Sequence, residues 1–212
     1  MAGGSGCSWF RADSPAFENS GQDLVSDIPF GTKLPEKFAG SILITSIAGK
    51  KKTIQRYFVA RDGKKSFARY KVGTKDEFAF LVDADGIGFK LLPEKRFTRL
   101  KKIPVSIEKN SLIASVTSRW LNEKRRASFK DLGTENGLRK YAVELELSEN
   151  TEILVYVDER LEIPVKQEFF STQGDKKVLT YSVELRDITL EPDQSLFVLP
   201  DGLEESTETV SQ

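Results

Sequence analysis

Histidine is absent from all 212 positions of the sequence. That removes the commonest general base at neutral pH and the commonest metal ligand. Serine and cysteine nucleophiles that depend on imidazole go with it. One cysteine is present, Cys7, so no internal disulfide forms, and a structural zinc site is close to excluded. Carboxylate-only catalysis survives these exclusions. No convincing acid pair supports it, because Asp158 and Glu159 read as the end of a strand. The sets of catalytic residues, metal ligands and cofactors are therefore read as empty.

Net charge is missing as well. The 32 Lys and Arg cancel the 32 Asp and Glu, which argues against broad electrostatic capture of nucleic acid. No run of roughly 18 apolar residues occurs, so nothing reads as a membrane-spanning helix.

What is present is a long series of short apolar runs between two polar ends. Residues 1–33 form a flexible tail by composition: Gly3-Gly4-Ser5-Gly6, Ser14-Pro15 and Asn19-Ser20-Gly21 are turn and linker chemistry without a period. Residues 204–212 are polar and acidic, and are expected to be disordered. The stretch 34–203 between them is expected to be one domain.

Strands are expected over Phe38–Ile47, Lys52–Ala60, Ser66–Val72, Glu77–Asp83, Ile87–Leu92 and Arg96–Lys101. Asp62-Gly63 and Asp85-Gly86 are hairpin signals, since glycine takes positive φ at little cost. One interruption is helical in period. Ser111–Glu123 places Leu112, Ile113, Val116 and Trp120 on one stripe, with Asn110 or Ser111 as N-cap. Strands resume at Ala127–Leu132, Leu138–Leu147, Glu152–Asp158, Pro164–Ser171 and Lys177–Leu190, the last two joined through Thr172-Gln173-Gly174-Asp175.

Alternation within the strands sorts their faces. Tyr141, Val143, Leu145 and Leu147 share a side, as do Leu179, Tyr181, Val183 and Leu185; so do Phe78, Phe80 and Val82, and Ile87, Phe89 and Leu91. Some ten or eleven strands each offer one apolar face, with a single clear helix to cover them. Mainly β, this is a strongly curved antiparallel sheet wrapped around its own interior. That interior is either a filled core, the commoner outcome, or an incompletely filled cavity for an apolar ligand.

The stretch DERLEIPVKQEFFSTQGDKKVLTYSVELRDITLEPDQSLFVLPDG, Asp158 to Gly202, resembles the C-terminal half of bacterial outer-membrane lipoprotein-carrier and lipoprotein-sorting (LolA/LolB-like) proteins. The features that carry the resemblance are Asp158, Pro164, Lys166-Gln167-Glu168-Phe169, Gly174 and Phe197-Val198-Leu199-Pro200, in that order. FVARDGKKSFARY (Phe58–Tyr70) and FKLLPEKRFTRL (Phe89–Leu100) are similar to the N-terminal meander of the same group. The resemblance covers roughly residues 36–203. It implies a half-open, unclosed β-barrel with one or more covering helices, whose concave apolar face holds acyl chains of lipid or lipoprotein and performs no catalysis. It also implies the periplasmic side of a bacterial envelope. An envelope sensor or scaffold that uses the same fold to bind a protein partner is the alternative.

On that reading the cavity-lining candidates are Phe58, Phe78, Phe80, Phe89, Leu91, Leu145, Tyr181 and Val183 from strands, and Leu112, Val116 and Trp120 from the helix. Each has an ordinary counterpart as core packing. Arg56 and Arg69 are expected to point outward into solvent.

Cys7 fits the same picture. Mature bacterial lipoproteins begin with a lipidated cysteine preceded by small residues, and Gly6 and Ser5 are small. Residual leader or cloning sequence and a functional thiol are the alternatives. With Cys7 as anchor, residues 8–33 become a tether to the membrane. Mass spectrometry of the protein from its native membrane is expected to show a diacylglyceryl-sized adduct on Cys7; an unmodified thiol there excludes the anchor.

Overall fold

A computed structural model of the chain describes residues 28–31, 34–104, 127–145, 151–173 and 176–206, with Leu145 and Gln173 described by backbone alone. Twelve strands form one sheet. They are β1 (Lys37–Ala48), β2 (Lys51–Asp62), β3 (Lys65–Tyr70), β4 (Phe78–Val82), β5 (Gly88–Leu92), β6 (Arg96–Arg99), β7 (Ala127–Glu135), β8 (Leu138–Leu145), β9 (Thr151–Asp158), β10 (Ile163–Gln173), β11 (Lys176–Thr189) and β12 (Glu204–Glu205). A single 3-10 turn, Gln194–Phe197, precedes β12.

The strand order is β12-β6-β5-β4-β3-β2-β1-β11-β10-β9-β8-β7. Two antiparallel meanders, β1–β6 and β7–β11, are thus joined back to back by the pairing of β1 with β11. β12 alone is parallel, adding to β6. The sheet is curved and does not close. β6 and β7 follow one another among the strands yet stand at opposite ends of the sheet. The helix expected over 111–123 belongs to that connection and lies outside the described residues.

Local chemistry sets the hairpins. Between β4 and β5, the Asp83 carboxylate accepts from the backbone N–H groups of Asp85 and Ile87 at 3.0 and 2.8 Å. Gly86 closes that turn at φ 78°, where a Cβ is costly. Gly40 has a different reason. It lies at a bulge in the β1–β11 ladder, and a Cβ there would stand 3.1 Å from Leu185 Cδ1 and 3.2 Å from Arg186 O. The bulge bends the central strand, as extra residues in a ladder do.

Register divides the sheet into two faces. One carries Phe38, Ile42 and Ile44 of β1, Tyr57 and Val59 of β2, Ala68 and Tyr70 of β3, and Phe78 and Phe80 of β4. It continues through Leu185, Val183 and Tyr181 of β11, Phe169 of β10, Val155 and Ile153 of β9, and Tyr141 and Val143 of β8. Ile42 and Val155 are 0% exposed and Val183 is 1%. This face is apolar across eight strands except at Gln167 of β10, 0% exposed between Val183 and Val155, and it is the face that curvature encloses, the inner face. The outer face of β8–β11 carries Lys140, Lys166, Glu168, Glu184 and Arg186, several of them in ion pairs.

The other limb is apolar on its outer face too. Ala39, Ala60, Phe67, Ala79, Leu81 and Phe89 pack there beneath Phe197, with Leu196 and Leu199 beside it. Leu81 is 0% exposed and Phe197 is 2%. The C-terminal segment therefore covers a second core on the convex side. Asp193 caps its turn by accepting from Ser195 N–H at 2.9 Å.

Three expectations change. The faces of Phe78/Phe80 and of Ile87/Phe89/Leu91 do not coincide, because Leu81 pairs with Phe89 and Ala79 with Leu91. Alternation groups residues within a strand, but the turn sets the register between strands. Contacts with the sheet are also made on both sides of residues 34–203. Glu204–Glu205 join β6, and Ser206 N–H donates to Phe97 O at 2.7 Å, which adds a short twelfth strand among the described residues. Phe30, placed in the tail by composition, stacks edge-on against Phe129 at 5.4 Å, and Gly31 N–H donates to Glu162 O at 2.7 Å.

Because Phe197 is the plug of the outer core, Phe197→Ala is expected to destabilise the fold by roughly 3–5 kcal/mol, read as a lower midpoint in urea unfolding.

Candidate functional site

The inner face of β2–β4 carries a group of four rings. Tyr57 and Tyr70 are cross-strand partners with centroids 5.6 Å apart. Tyr70 stacks on Phe78 at 5.0 Å and 3°, and meets Phe80 edge-on at 5.6 Å; Phe78 and Phe80 are themselves 5.6 Å apart. All four are only half-buried. On the opposite limb Phe169 and Tyr181 meet at 5.5 Å, also half-buried. Between the limbs lies the buried strip of Ile42, Val183 and Leu185. Aromatic side chains offer large apolar area with few rotatable bonds, so the inner face is a stiff apolar floor with two raised aromatic shoulders.

The chemical inventory around it is sparse. Among the described residues no group of three or more Cys, Asp or Glu is placed to hold a metal ion. No helix among them is long and apolar enough to cross a membrane, which says nothing of strands.

Several solved structures are similar to the chain. A LolA-superfamily protein from Nitrosomonas europaea matches over 79% of this chain and 92% of its own, at 14% identity and a TM-score of 0.33. A putative outer-membrane lipoprotein-sorting protein domain from Vibrio parahaemolyticus matches over 74% and 87%, at 16% identity and a TM-score of 0.28. The complex of Pseudomonas aeruginosa MucA and MucB matches over 76% of this chain and 55% of that one, at 11% identity and a TM-score of 0.39; here the match spans little more than half of the other chain. No family model matches the sequence, and no curated protein does. At identities this low no residue role transfers.

The structure divides the residues singled out from sequence. Phe78, Phe80, Tyr181 and Val183 are on the inner face. Phe58, Phe89 and Leu91 are on the outer face: Phe89 is in the core under Phe197, with Phe58 and Leu91 packed against it. All three are corrected from the inner face to the convex side, where Leu91 also lines an open cavity. Leu145 pairs with Ala127 by backbone register, whereas Leu112, Val116, Trp120 and Cys7 lie outside the described residues. Arg56 and Arg69 are on the outer face, as expected. Arg69 pairs with Glu77 at 3.4 Å and lies over the rings of Phe58 and Phe67 at 5.8 and 5.6 Å.

Sequence reasoning passed over Tyr57, Tyr70, Ile44 and Phe169, which complete the inner surface. A signal for the tyrosines was there: counting outward from the Asp62–Lys65 pair at the Gly63 turn makes Tyr57 and Tyr70 partners. An open cavity of about 600 Å³ is lined from the outer face by Phe67, Arg69, Ala79, Leu91 and Leu196, and Phe78 borders it at the start of β4.

A polar knot tightens the convex side of β8–β10. Tyr156 OH donates to Glu168 Oε2 at 2.7 Å, and Lys166 Nζ lies 2.7 Å from Glu168 Oε1. Lys140 and Lys166 both stand over the Tyr156 ring, at 5.4 and 4.8 Å. Burial opposes the charge on Glu168, but the bonds from Lys166 and Tyr156 outweigh it and hold the carboxyl below its ordinary 4.5. Burial first, then the bond to Glu168, raises the Tyr156 phenol. Since the folded value of Glu168 is the lower one, its stabilisation is complete above about pH 4.5 and is lost as pH falls through the folded value. Tyr156→Phe is expected to cost about 1 kcal/mol near neutral pH, reduced by solvent screening, and to move the Glu168 carboxyl resonance midpoint upward in an NMR pH titration.

Proposed function

We propose that the protein binds acyl chains of a lipid or lipoprotein, non-covalently and without catalysis, on the inner face of the half-barrel. The observation that carries this reading is the half-buried ring group of Tyr57, Tyr70, Phe78 and Phe80 facing an apolar floor. Each CH₂ moved out of water contributes about 0.8 kcal/mol, so a sixteen-carbon chain brings on the order of 12 kcal/mol before ordering costs. A surface that accepts such a chain needs area and shape but no acid, base or metal. Work in a bacterial envelope, on its periplasmic side and held at the outer membrane through Cys7 or free in the periplasm, suits that cargo, as does a place in lipid or lipoprotein trafficking.

A second reading draws on the outer face. The cavity of about 600 Å³ there adjoins Val198, which is 64% exposed, and such an apolar recess suits a protein partner of an envelope sensor or scaffold.

Native mass spectrometry of gently purified protein is expected to show co-purified lipid. After delipidation, palmitate is expected to rebind, and the double variant Tyr70→Ser, Phe80→Ser to bind it at least tenfold more weakly, while Val198→Ser on the outer face binds as the parent does. Circular dichroism checks that the variants fold. A delipidated protein that takes up neither fatty acid nor phospholipid overturns the acyl-chain reading and leaves the scaffold.

A further inference from the structure

The inner face is not apolar to its end. Past β4 its register positions are Gly88, Lys90 and Leu92 on β5, then Arg96 and Thr98 on β6. Lys90 is the partner of Thr98 on one side and of Phe80 on the other. Its ammonium stands 5.4 Å from the centre of the Phe78 ring, so a cation borders the aromatic group directly. Two polar atoms beside it are buried with no hydrogen-bond partner, Arg96 Nε and Thr98 Oγ1. A buried donor left unpaired costs about 1–3 kcal/mol, so a pair of them side by side calls for an occupant.

Acidic groups are near but do not satisfy these atoms. Glu94, 79% exposed, reaches Arg96 through Nη2 at 3.5 Å, and Glu204 of β12 is the register partner of Arg96 on the exposed edge. Inward charges on edge strands also guard against edge pairing. That role requires neither an orphaned guanidinium nitrogen nor an orphaned hydroxyl.

We propose that Lys90, Arg96 and Thr98 form the headgroup end of the inner-face site, and that its ligand is an anionic amphiphile with a phosphate at this edge and its acyl chain along Phe80, Phe78 and Tyr70. The phosphate oxygens accept from Lys90 Nζ and, as the Arg96 and Thr98 side chains turn toward the ligand, from Arg96 Nε and Thr98 Oγ1; such charge-assisted bonds are the strong class. The aromatic shoulder takes the first carbons of the chain. This rests on the acyl-chain reading above and adds to it a polarity and a headgroup class.

The test compares palmitoyl-lysophosphatidylglycerol with monopalmitoylglycerol, the same chain with and without the phosphate, by calorimetry on the full delipidated protein below micelle concentration. The parent is expected to prefer the anionic lipid roughly tenfold. Lys90→Gln with Arg96→Gln is expected to remove that preference while leaving the affinity for the neutral glyceride within about twofold, and Lys90→Arg with Arg96→Lys to keep most of it. Glycerol 3-phosphate alone is expected not to compete at millimolar concentration. Equal binding of both lipids by the parent, or a preference that survives the glutamine pair, overturns the headgroup site and leaves acyl-chain binding standing. Competition by glycerol 3-phosphate overturns the amphiphile assignment in favour of a simple phosphate ligand. Binding of neither lipid overturns both readings.

Discussion

The structure depends on one ladder, the antiparallel pairing of β1 with β11. These strands are separated by most of the chain, yet Ile42 faces Leu185 and Ile44 faces Val183 across the ladder. Without that pairing the molecule is two separate meanders, each with an apolar side open to water. With it, the two apolar sides become one continuous inner surface. The bulge beside Gly40 lets β1 bend at the seam, and the close approach of Leu185 leaves no room for a side chain there. Such long-range pairing carries a large loop-closure cost before its contacts form, so the seam has to be strongly apolar to hold.

The two limbs use their convex sides differently. On β8–β11 the outer face is charged and knotted around Tyr156 and Glu168, which suits a surface open to solvent. On β2–β5 it is apolar and would be left wet, were it not for the C-terminal segment that lays Phe197 over Phe67, Leu81 and Phe89. The second core stiffens the limb that bears the aromatic group on its other side. A concave site is better held when the strands beneath it are packed from behind.

Much of this was legible in the sequence. Strand positions follow from short β-branched and aromatic runs, and from turn residues such as Asp62-Gly63 and Asp85-Gly86, whose chemistry is local. The likeness to lipoprotein-carrier proteins pointed to an open, curved sheet, and the sheet is curved and unclosed. The candidate site was legible in part. Phe78, Phe80, Tyr181 and Val183 are on the inner face, while Phe58, Phe89 and Leu91 are on the outer one. For Phe89 and Leu91 the reason is the register across the Asp83–Ile87 turn, where Leu81 and not Phe80 meets Phe89; Phe58 shares the outer face with its partners Ser41 and Arg69. Phe30 and Glu204–Glu205 were read as tail because composition describes a segment's average, and docking can turn on a single ring or two backbone hydrogen bonds.

By itself the sequence determined which side chains are missing and the local structure that is present. With no histidine and one cysteine, imidazole-dependent catalysis and an internal disulfide are closed, and alternating apolar runs between turns make strands wherever the chain lies. Only the tertiary structure decided which strand faces coincide. It put Lys90, Arg96 and Thr98 beside the rings of Phe78 and Phe80, and it sent Phe58 and Phe89 to the far side. Side-chain period in a strand is two, so a shift of one residue in register exchanges inside for outside, and register across long-range pairs is written in contacts that no local pattern contains.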